Sequence, residues 1–185
     1  MKNPYAIGKS VYLRPPEEED LDSNWYTWLT DPEITQYLGD RYWPNTKEKQ
    51  KAFYESTKDA TTRLVLLVID KTTDKLIGVC NFNNISFLHG KAEIALIIGE
   101  KEYRKGTHAI DVMALLLKVG FERLNLRNIL TSRLYINKHT AALEKLFGFK
   151  QVGVFEGLSF YKGGYEDIVY SQLTRENWKD RNQNK

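Results

Sequence analysis

Residues 91–121 read KAEIALIIGEKEYRKGTHAIDVMALLLKVGF, and this stretch decides the fold of the chain. It opens with an apolar run typical of a strand, Ala92–Ile98, and closes with a longer apolar segment, Ala109–Phe121. In the second segment the apolar residues recur at helical spacing. The pattern therefore predicts a strand, a short basic turn and a helix, in that order.

The turn carries Arg104, Lys105 and Gly106 directly before the predicted helix. The first turn of a helix presents unpaired backbone N–H groups and the positive end of its dipole. Placed beside two cations, it can hold a phosphate or a diphosphate. A solvated charged turn is the simpler interpretation, but we favour a binding site for a large phosphorylated cofactor, because the cations lie immediately before an apolar helix.

Composition excludes several classes of protein. The net charge of +3, with Lys and Arg scattered among acidic residues, argues against a nucleic-acid partner. Cys80 is the single cysteine, which rules out an intrachain disulfide, and no His, Cys or acidic residues have metal-ligand spacing. The first ten residues, MKNPYAIGKS, contain no apolar core of signal-peptide length, and no run approaches the length of a membrane span, so we expect a cytoplasmic protein without a membrane partner.

The 185 residues predict one domain, 1–185, with a disordered tail over about 179–185. Because a whole helix separates the strand near Lys91 from the next one, 128–136, these two are expected to run parallel. The fold class predicted is α/β (α+β), with a mixed, mostly antiparallel central sheet, a splayed parallel strand pair and helices on both faces. The other predicted strands are 11–14, 63–70, 75–85, 152–160 and 168–173.

Five segments in this order resemble the GNAT superfamily of acetyl-CoA-dependent N-acetyltransferases, and within it the RimJ/RimL-type subgroup. The segments are YLRPPEEEDLDSNWYTWLTDPEITQYL (12–38), KLIGVCNFNNI (75–85), AEIALIIGEKEYRKGTHAIDVMALLLKVGFERLNLRNI (92–129), INKHTAALEKLFGFKQVGVFEG (136–157) and FYKGGYEDIVYSQLTRENW (160–178). The resemblance implies a GNAT-like fold, acetyl-CoA as cosubstrate and no metal.

The resemblance also implies which residues meet the cofactor. The family's diphosphate turn reads Arg or Gln, two residues, Gly, one residue, then Gly or Ala. Matched from Tyr103, the turn keeps the central glycine and departs at both ends, where Tyr103 and His108 stand. The pantetheine arm of the cofactor is expected to lie beside the strand that precedes the turn. An asparagine, here Asn137, is expected to form hydrogen bonds near this arm. The implied cofactor residues are Leu96, Ile97, Ile98, Tyr103, Arg104, Lys105, Gly106, Thr107, His108 and Asn137.

For catalysis, Glu93 is the predicted general base, because it lies in an apolar run on the strand that enters the site. A solvent-facing or lysine-paired Glu93 is the competing interpretation. Glu144 stands where many family members carry a tyrosine acid, and an ionised glutamate would make a poor acid there. Tyr135 and Tyr161 are weaker candidates for protonating or placing groups, since aromatic packing explains both.

The acceptor is predicted to be a small-molecule primary amine or a peptide N-terminus. Arg41, Tyr42 and Trp43 place a cation beside stackable aromatic rings, which favours an amino sugar or a sugar nucleotide. A protein N-terminus, as in ribosomal-protein acetylation, and a polyamine remain alternatives. A non-catalytic protein that binds coenzyme A is the alternative to an enzyme. Separately, a homodimer that forms through exposed strand edges is also possible.

Overall fold

A computed structural model describes residues 1–104 and 106–183, without the side chains of Asp40 and of residues 181–183. The strands are β1 (Ala6–Ile7), β2 (Val11–Arg14), β3 (Leu64–Asp70), β4 (Leu76–Ser86), β5 (Lys91–Ile98), β6 (Asn128–Leu134), β7 (Lys150–Tyr161) and β8 (Gly164–Thr174). The helices are α1 (Trp25–Trp28), α2 (Pro32–Thr35), α3 (Lys47–Lys58), α4 (His108–Lys118), α5 (Lys138–Phe147) and α6 (Arg175–Gln183).

The eight strands form a mixed, mostly antiparallel sheet in the order β1-β2-β3-β4-β5-β6-β8-β7. The parallel pair is β5 with β6, as the intervening helix predicted. Its ladder joins Lys91–Glu93 to Asn128–Leu130, three residues on each strand. The fold class predicted from the sequence is therefore confirmed.

The chain divides into two compact units, residues 1–83 with 95–116 and residues 84–94 with 117–185. That the chain is a single domain stays a prediction, and each unit is described separately below. No helix in the described part of the chain is both long enough and apolar enough to cross a bilayer.

In the first unit, β1 to β4 are joined by antiparallel pairing. A hydrophobic core forms here because β3 is apolar from Leu64 to Ile69, so both of its faces can be buried. Trp25 and Trp28 of α1 belong to this core. The buried residues of the cluster are Tyr12, Trp25, Trp28, Val65, Leu67 and Ile69.

In the second unit, β6 pairs with β8 along its whole length, and β7 pairs with β8 from the other side. Helix α5 ends at Gly148, whose φ of 82° is left-handed, so glycine is the residue that fits there. At the chain's end, α6 runs from Arg175 to Gln183, and Trp178 packs on Phe121 with ring centroids 5.1 Å apart. Residues 179–183 of the tail predicted to be disordered, about 179–185, are helical, and residues 184 and 185 lie outside the described residues.

Candidate functional site

The turn predicted to bind the cofactor, residues 103–108, leads into α4 in the first unit. The N–H of Asp111 donates to the carbonyl of Thr107 at 2.9 Å, which makes Thr107 the residue that precedes the helix. The N–H groups of His108, Ala109 and Ile110 therefore have no intrahelical carbonyl partner. Such a helix start attracts an anion. Lys105, predicted as a phosphate contact, lies outside the described residues.

Arg104 uses its guanidinium to hold the backbone that leads into this turn. Nε donates to the carbonyl of Ile98 at 3.1 Å and Nη2 to that of Gly99 at 2.8 Å. Nη1 forms an ion pair with Glu33 at 3.2 Å. These contacts fix the path between β5 and the turn, a role that the sequence prediction of a phosphate contact did not include.

His108 is the first residue of α4, and its imidazole is held on two sides. Nε2 lies 3.4 Å from Oδ2 of Asp70, the last residue of β3. The ring of Tyr103 meets it edge-on, with centroids 5.1 Å apart. Nδ1 is buried and has no hydrogen-bond partner among the described residues. Sequence reasoning did not single out Asp70, because no local pattern links the end of a strand to a helix start so far along the chain.

The strand residues predicted to lie beside the pantetheine arm are in the first unit. Leu96 and Ile97 are half-buried, and Ile98 is buried. A side chain at Gly78 of β4 would come within 2.3 Å of the Ile97 carbonyl oxygen. Gly78 therefore allows the close approach of backbone at this end of β5.

In the second unit, Asn137 caps α5. Its side-chain oxygen accepts a hydrogen bond from the N–H of Thr140 at 3.1 Å, the standard contact of a helix N-cap. The asparagine predicted to reach the cofactor arm thus also sets the start of α5.

Glu144 is buried between α5 and two strands. One carboxylate oxygen accepts from the Thr131 hydroxyl at 2.6 Å, and the other accepts from Arg133 Nε at 3.0 Å and from the Ser171 hydroxyl at 3.1 Å. Two hydroxyl donors and a guanidinium donor therefore hold both oxygens of this side chain in place. In this arrangement Glu144 ties α5 to β6 and β8.

The remaining candidates for catalysis are also in the second unit. Glu93 is half-buried on β5 and accepts a hydrogen bond from the Asn84 side chain at 3.3 Å. Tyr135 follows β6 with 53% of its surface exposed, and Lys138 Nζ lies 4.5 Å from its ring centroid. Tyr161 ends β7 and is half-buried. These three side chains therefore have different contacts: Glu93 meets Asn84, Tyr135 meets Lys138, and Tyr161 lies at the end of β7.

A cavity of about 360 Å³ opens in the first unit beside the loop after β5. Trp28 forms one wall and packs so closely that a side chain at Gly99 would come within 2.0 Å of its ring. The indole N–H of Trp28 donates to Glu100 at 3.1 Å. The lining residues are Asn24, Thr27, Trp28, Asp31, Ile34, Gly99, Glu100, Lys101 and Glu102.

Two of the carboxylates that line this cavity, Glu100 and Glu102, and the neighbouring Glu33 are held in ion pairs. Lys75 bridges Glu100 at 2.6 Å and Glu102 at 2.9 Å, while Lys101 and Arg104 both pair with Glu33. Burial alone would raise the pKa of Glu100, but hydrogen bonds from Lys75, Trp28 and Asn24 outweigh it and hold that pKa below its ordinary value. Glu100 is therefore ionised at neutral pH, with its charge compensated.

Arg41, Tyr42 and Trp43 lie together at the end of a 3₁₀ turn in the first unit. The Arg41 guanidinium stacks on the Tyr42 ring at 4.3 Å and also donates to the Tyr42 hydroxyl. Trp43 is 74% exposed and Tyr42 is 48% exposed. Within the described residues, no three His, Cys, Asp or Glu side chains are grouped as a metal site requires.

The chain is similar in sequence to a known protein family and to a known relative. The acetyltransferase (GNAT) domain family matches residues 10–150. An uncharacterized N-acetyltransferase, p20 of Bacillus licheniformis, is 30% identical over 169 residues, which cover 89% of this chain and 93% of that protein.

Two solved structures share the fold at lower identity. The spermidine N-acetyltransferase of Vibrio cholerae, in complex with CoA and spermine, has a TM-score of 0.84 at 22% identity, and the match covers 92% of this chain and 98% of that one. A GNAT-family acetyltransferase of Bacillus anthracis has a TM-score of 0.79 at 19% identity, with the same coverage of 92% and 98%.

Proposed function

The chain belongs to the GNAT acetyltransferase domain family and is an acetyl-CoA-dependent N-acetyltransferase, and we propose that its acceptor is the primary amine of an amino sugar, free or nucleotide-linked. The exposed group of Arg41, Tyr42 and Trp43 carries the acceptor part of this proposal. We also propose the RimJ/RimL-type subgroup, on the strength of the ordered segments from residue 12 to residue 178.

The donor end of the reaction fits the 103–108 turn. Its helix start offers N–H groups without intrahelical partners, and the buried Nδ1 of His108 lacks a partner among the described residues. A buried polar atom of this kind is costly unless something pairs with it. A diphosphate oxygen is a suitable partner for both features. When bound, acetyl-CoA supplies the thioester that the amine attacks.

The chain's own residues must then manage protons. A primary amine arrives protonated at neutral pH, so a base has to remove a proton before attack. We assign this to a carboxylate oxygen of Glu93, which is half-buried and hydrogen-bonded to Asn84. Glu144 already serves three donors, so we assign it to holding α5. The hydroxyl of Tyr135 is then the candidate that donates a proton to the leaving thiolate.

The Arg41–Trp43 group supports a sugar nucleotide. The indole of Trp43 is exposed, and aromatic rings stack on bases and on sugar faces. The stacked guanidinium beside it offers charge to a phosphate. Together they provide stacking and charge, the two contacts that a nucleotide-linked sugar needs.

A polyamine is the second candidate. The cavity beside the loop after β5 is lined by Asp31, Glu100 and Glu102, which could attract a polycation. However, Lys75 already bridges the two glutamates, and a polyamine would have to compete with it. We therefore rank the polyamine second, although one fold neighbour is a spermidine acetyltransferase.

The acceptor can be tested by measuring coenzyme A release from acetyl-CoA over a panel of amines. The panel contains a nucleotide-linked amino sugar, the free amino sugar, spermidine and a peptide with a free N-terminus. We expect the highest kcat/KM for a nucleotide-linked amino sugar. Turnover confined to spermidine would replace the first candidate by the second, and turnover confined to the peptide would reject both.

A further inference from the structure

The Asp70 carboxylate is held in one orientation, with one oxygen facing His108. Oδ1 of Asp70 accepts from the N–H groups of Thr72 and Thr73, at 3.1 and 2.8 Å, and from the Thr73 hydroxyl at 2.8 Å. These three donors hold the carboxylate in place, and they leave Oδ2 facing Nε2 of His108. Asp70 is buried, so its orientation is fixed by the turn after β3.

The charge state of Asp70 follows from the same contacts. Burial alone would raise its pKa, but the hydrogen bonds from Thr73, His108 and Thr72 outweigh burial and keep that pKa below its ordinary value. Asp70 is therefore ionised at neutral pH. An ionised carboxylate can only accept hydrogen bonds, so the Nε2 edge of the His108 ring is held toward Asp70.

The other ring nitrogen points toward the turn. A side chain at Gly106 would come within 3.1 Å of Nδ1 of His108, so Nδ1 lies over the backbone of Gly106. Tyr103 limits rotation of the ring from the side, and its hydroxyl lies 3.2 Å from the Thr73 hydroxyl. The turn after β3 thus holds both the carboxylate and the aromatic ring that fix the imidazole.

We propose that Asp70 is a positioning residue for the acetyl donor: it holds His108 so that Nδ1 donates a hydrogen bond to the diphosphate of coenzyme A. This inference rests on the donor assignment given above, and it does not depend on which amine is the acceptor. Asp70 acts through His108 and does not itself contact the ligand. When coenzyme A binds, a charged diphosphate oxygen becomes the hydrogen-bond partner that Nδ1 otherwise lacks among the described residues.

Calorimetric titration of the full-length protein tests this, with coenzyme A and with pantetheine, which lacks the diphosphate. We expect Asp70→Asn and His108→Ala each to weaken coenzyme A binding by about tenfold or more, as for a hydrogen bond to a charged group. Pantetheine binding should not change. Asp74→Asn, in the same turn and hydrogen-bonded to Tyr12, is the matched control and should bind coenzyme A like the wild type.

The double variant separates positioning from a general structural effect. If Asp70 acts through His108, the loss in Asp70→Asn/His108→Ala should equal that of His108→Ala alone rather than the product of the two losses. Equal losses for pantetheine, independent losses in the double variant, or unchanged binding by Asp70→Asn would each overturn the inference. A wild-type protein that does not bind coenzyme A would instead refute the donor assignment itself.

Discussion

Asp111 Oδ2 accepts a hydrogen bond from the backbone N–H of Ser10 at 2.7 Å, although the two residues lie 101 positions apart. The Ser10 hydroxyl and the N–H of Val11 donate to the same oxygen, each at 3.1 Å. Asp111 lies in the first turn of α4, where a negative charge also interacts well with the helix dipole. The start of β2 is therefore fastened to the helix whose N-terminus forms the donor site.

A first prediction concerns Gly8, which packs against this carboxylate. A side chain at Gly8 would come within 2.6 Å of both Asp111 oxygens, and these oxygens cannot move without losing their donors. We expect Gly8→Ala to lower the free energy of unfolding by about 1–3 kcal/mol, as overpacking does. Urea denaturation measures this.

The control for that experiment is Gly153→Ala in β7. A side chain there would meet no atom within 4 Å, and the φ of Gly153 is not left-handed. Gly153→Ala should therefore leave the urea midpoint nearly unchanged. Equal losses of stability in the two variants would show that the contact with Asp111 is not the cause.

A second prediction concerns acid pH. Burial alone would raise the pKa of Asp111, but donors from Ser10, Lys9 and Val11 outweigh burial and lower it below its ordinary value. A carboxyl with a lowered pKa in the folded state contributes stability above its unfolded pKa of about 3.9, and this contribution is lost as pH falls through the folded pKa.

The difference in unfolding free energy between the wild type and Asp111→Asn should therefore be largest above about pH 5 and shrink as the pH falls below about 4. Thermal denaturation over that range measures it. Asp22→Asn removes an exposed carboxylate and should shift the curve little at any pH. A difference that stays constant with pH would show that the Asp111 charge contributes nothing.

Much of the fold could be predicted because its signals are local. The short apolar runs and the helical spacing of apolar residues located β3 to β6 and α4. Long-range side-chain pairs leave no such trace. Trp28 and Glu100, hydrogen-bonded across 72 positions, are an example that periodicity could not reveal.

The motif at the turn shows a different limit. If the family pattern is aligned to residues 103–108, only its central glycine is matched, by Gly106. If it is aligned to residues 104–109, Arg104 matches the first position and Ala109 matches the last. Thr107 then stands at the glycine position, and in the structure this residue immediately precedes α4. A short pattern whose first and last positions each accept two residue types allows both alignments, so the sequence alone did not fix which side chain lies where in the turn.

A third prediction separates two roles for Glu144. If its buried carboxylate serves only to hold α5, Glu144→Ala should cost about 3–5 kcal/mol of stability, because Arg133 is left without its partner. Glu144→Gln should cost less and keep kcat close to that of the wild type at a temperature where it stays folded. If Glu144 protonates the leaving thiolate, kcat of a folded Glu144→Gln should fall by about 10²–10⁴-fold. Glu156→Gln, on exposed β7, is the control for both measurements.

A fourth prediction concerns Trp43. Because 74% of its surface is exposed, Trp43→Ala should leave the melting temperature nearly unchanged. If the indole stacks on the base or sugar of a nucleotide-linked acceptor, its removal should cost about 1–3 kcal/mol of binding, which is a rise of about 5- to 150-fold in the acceptor KM. The KM for acetyl-CoA should not change, and the effect should be smaller for the free amino sugar.

Phe87→Ala provides the comparison for Trp43, since Phe87 is another exposed aromatic residue, at 65%, in the turn after β4. It should alter neither KM. A rise in acceptor KM that is the same for the free and the nucleotide-linked amino sugar would place Trp43 against the sugar and not the base. If the acceptor KM of Trp43→Ala rises for neither acceptor, Trp43 does not contact the acceptor. The amino-sugar proposal then loses its support, and the polyamine becomes the better candidate.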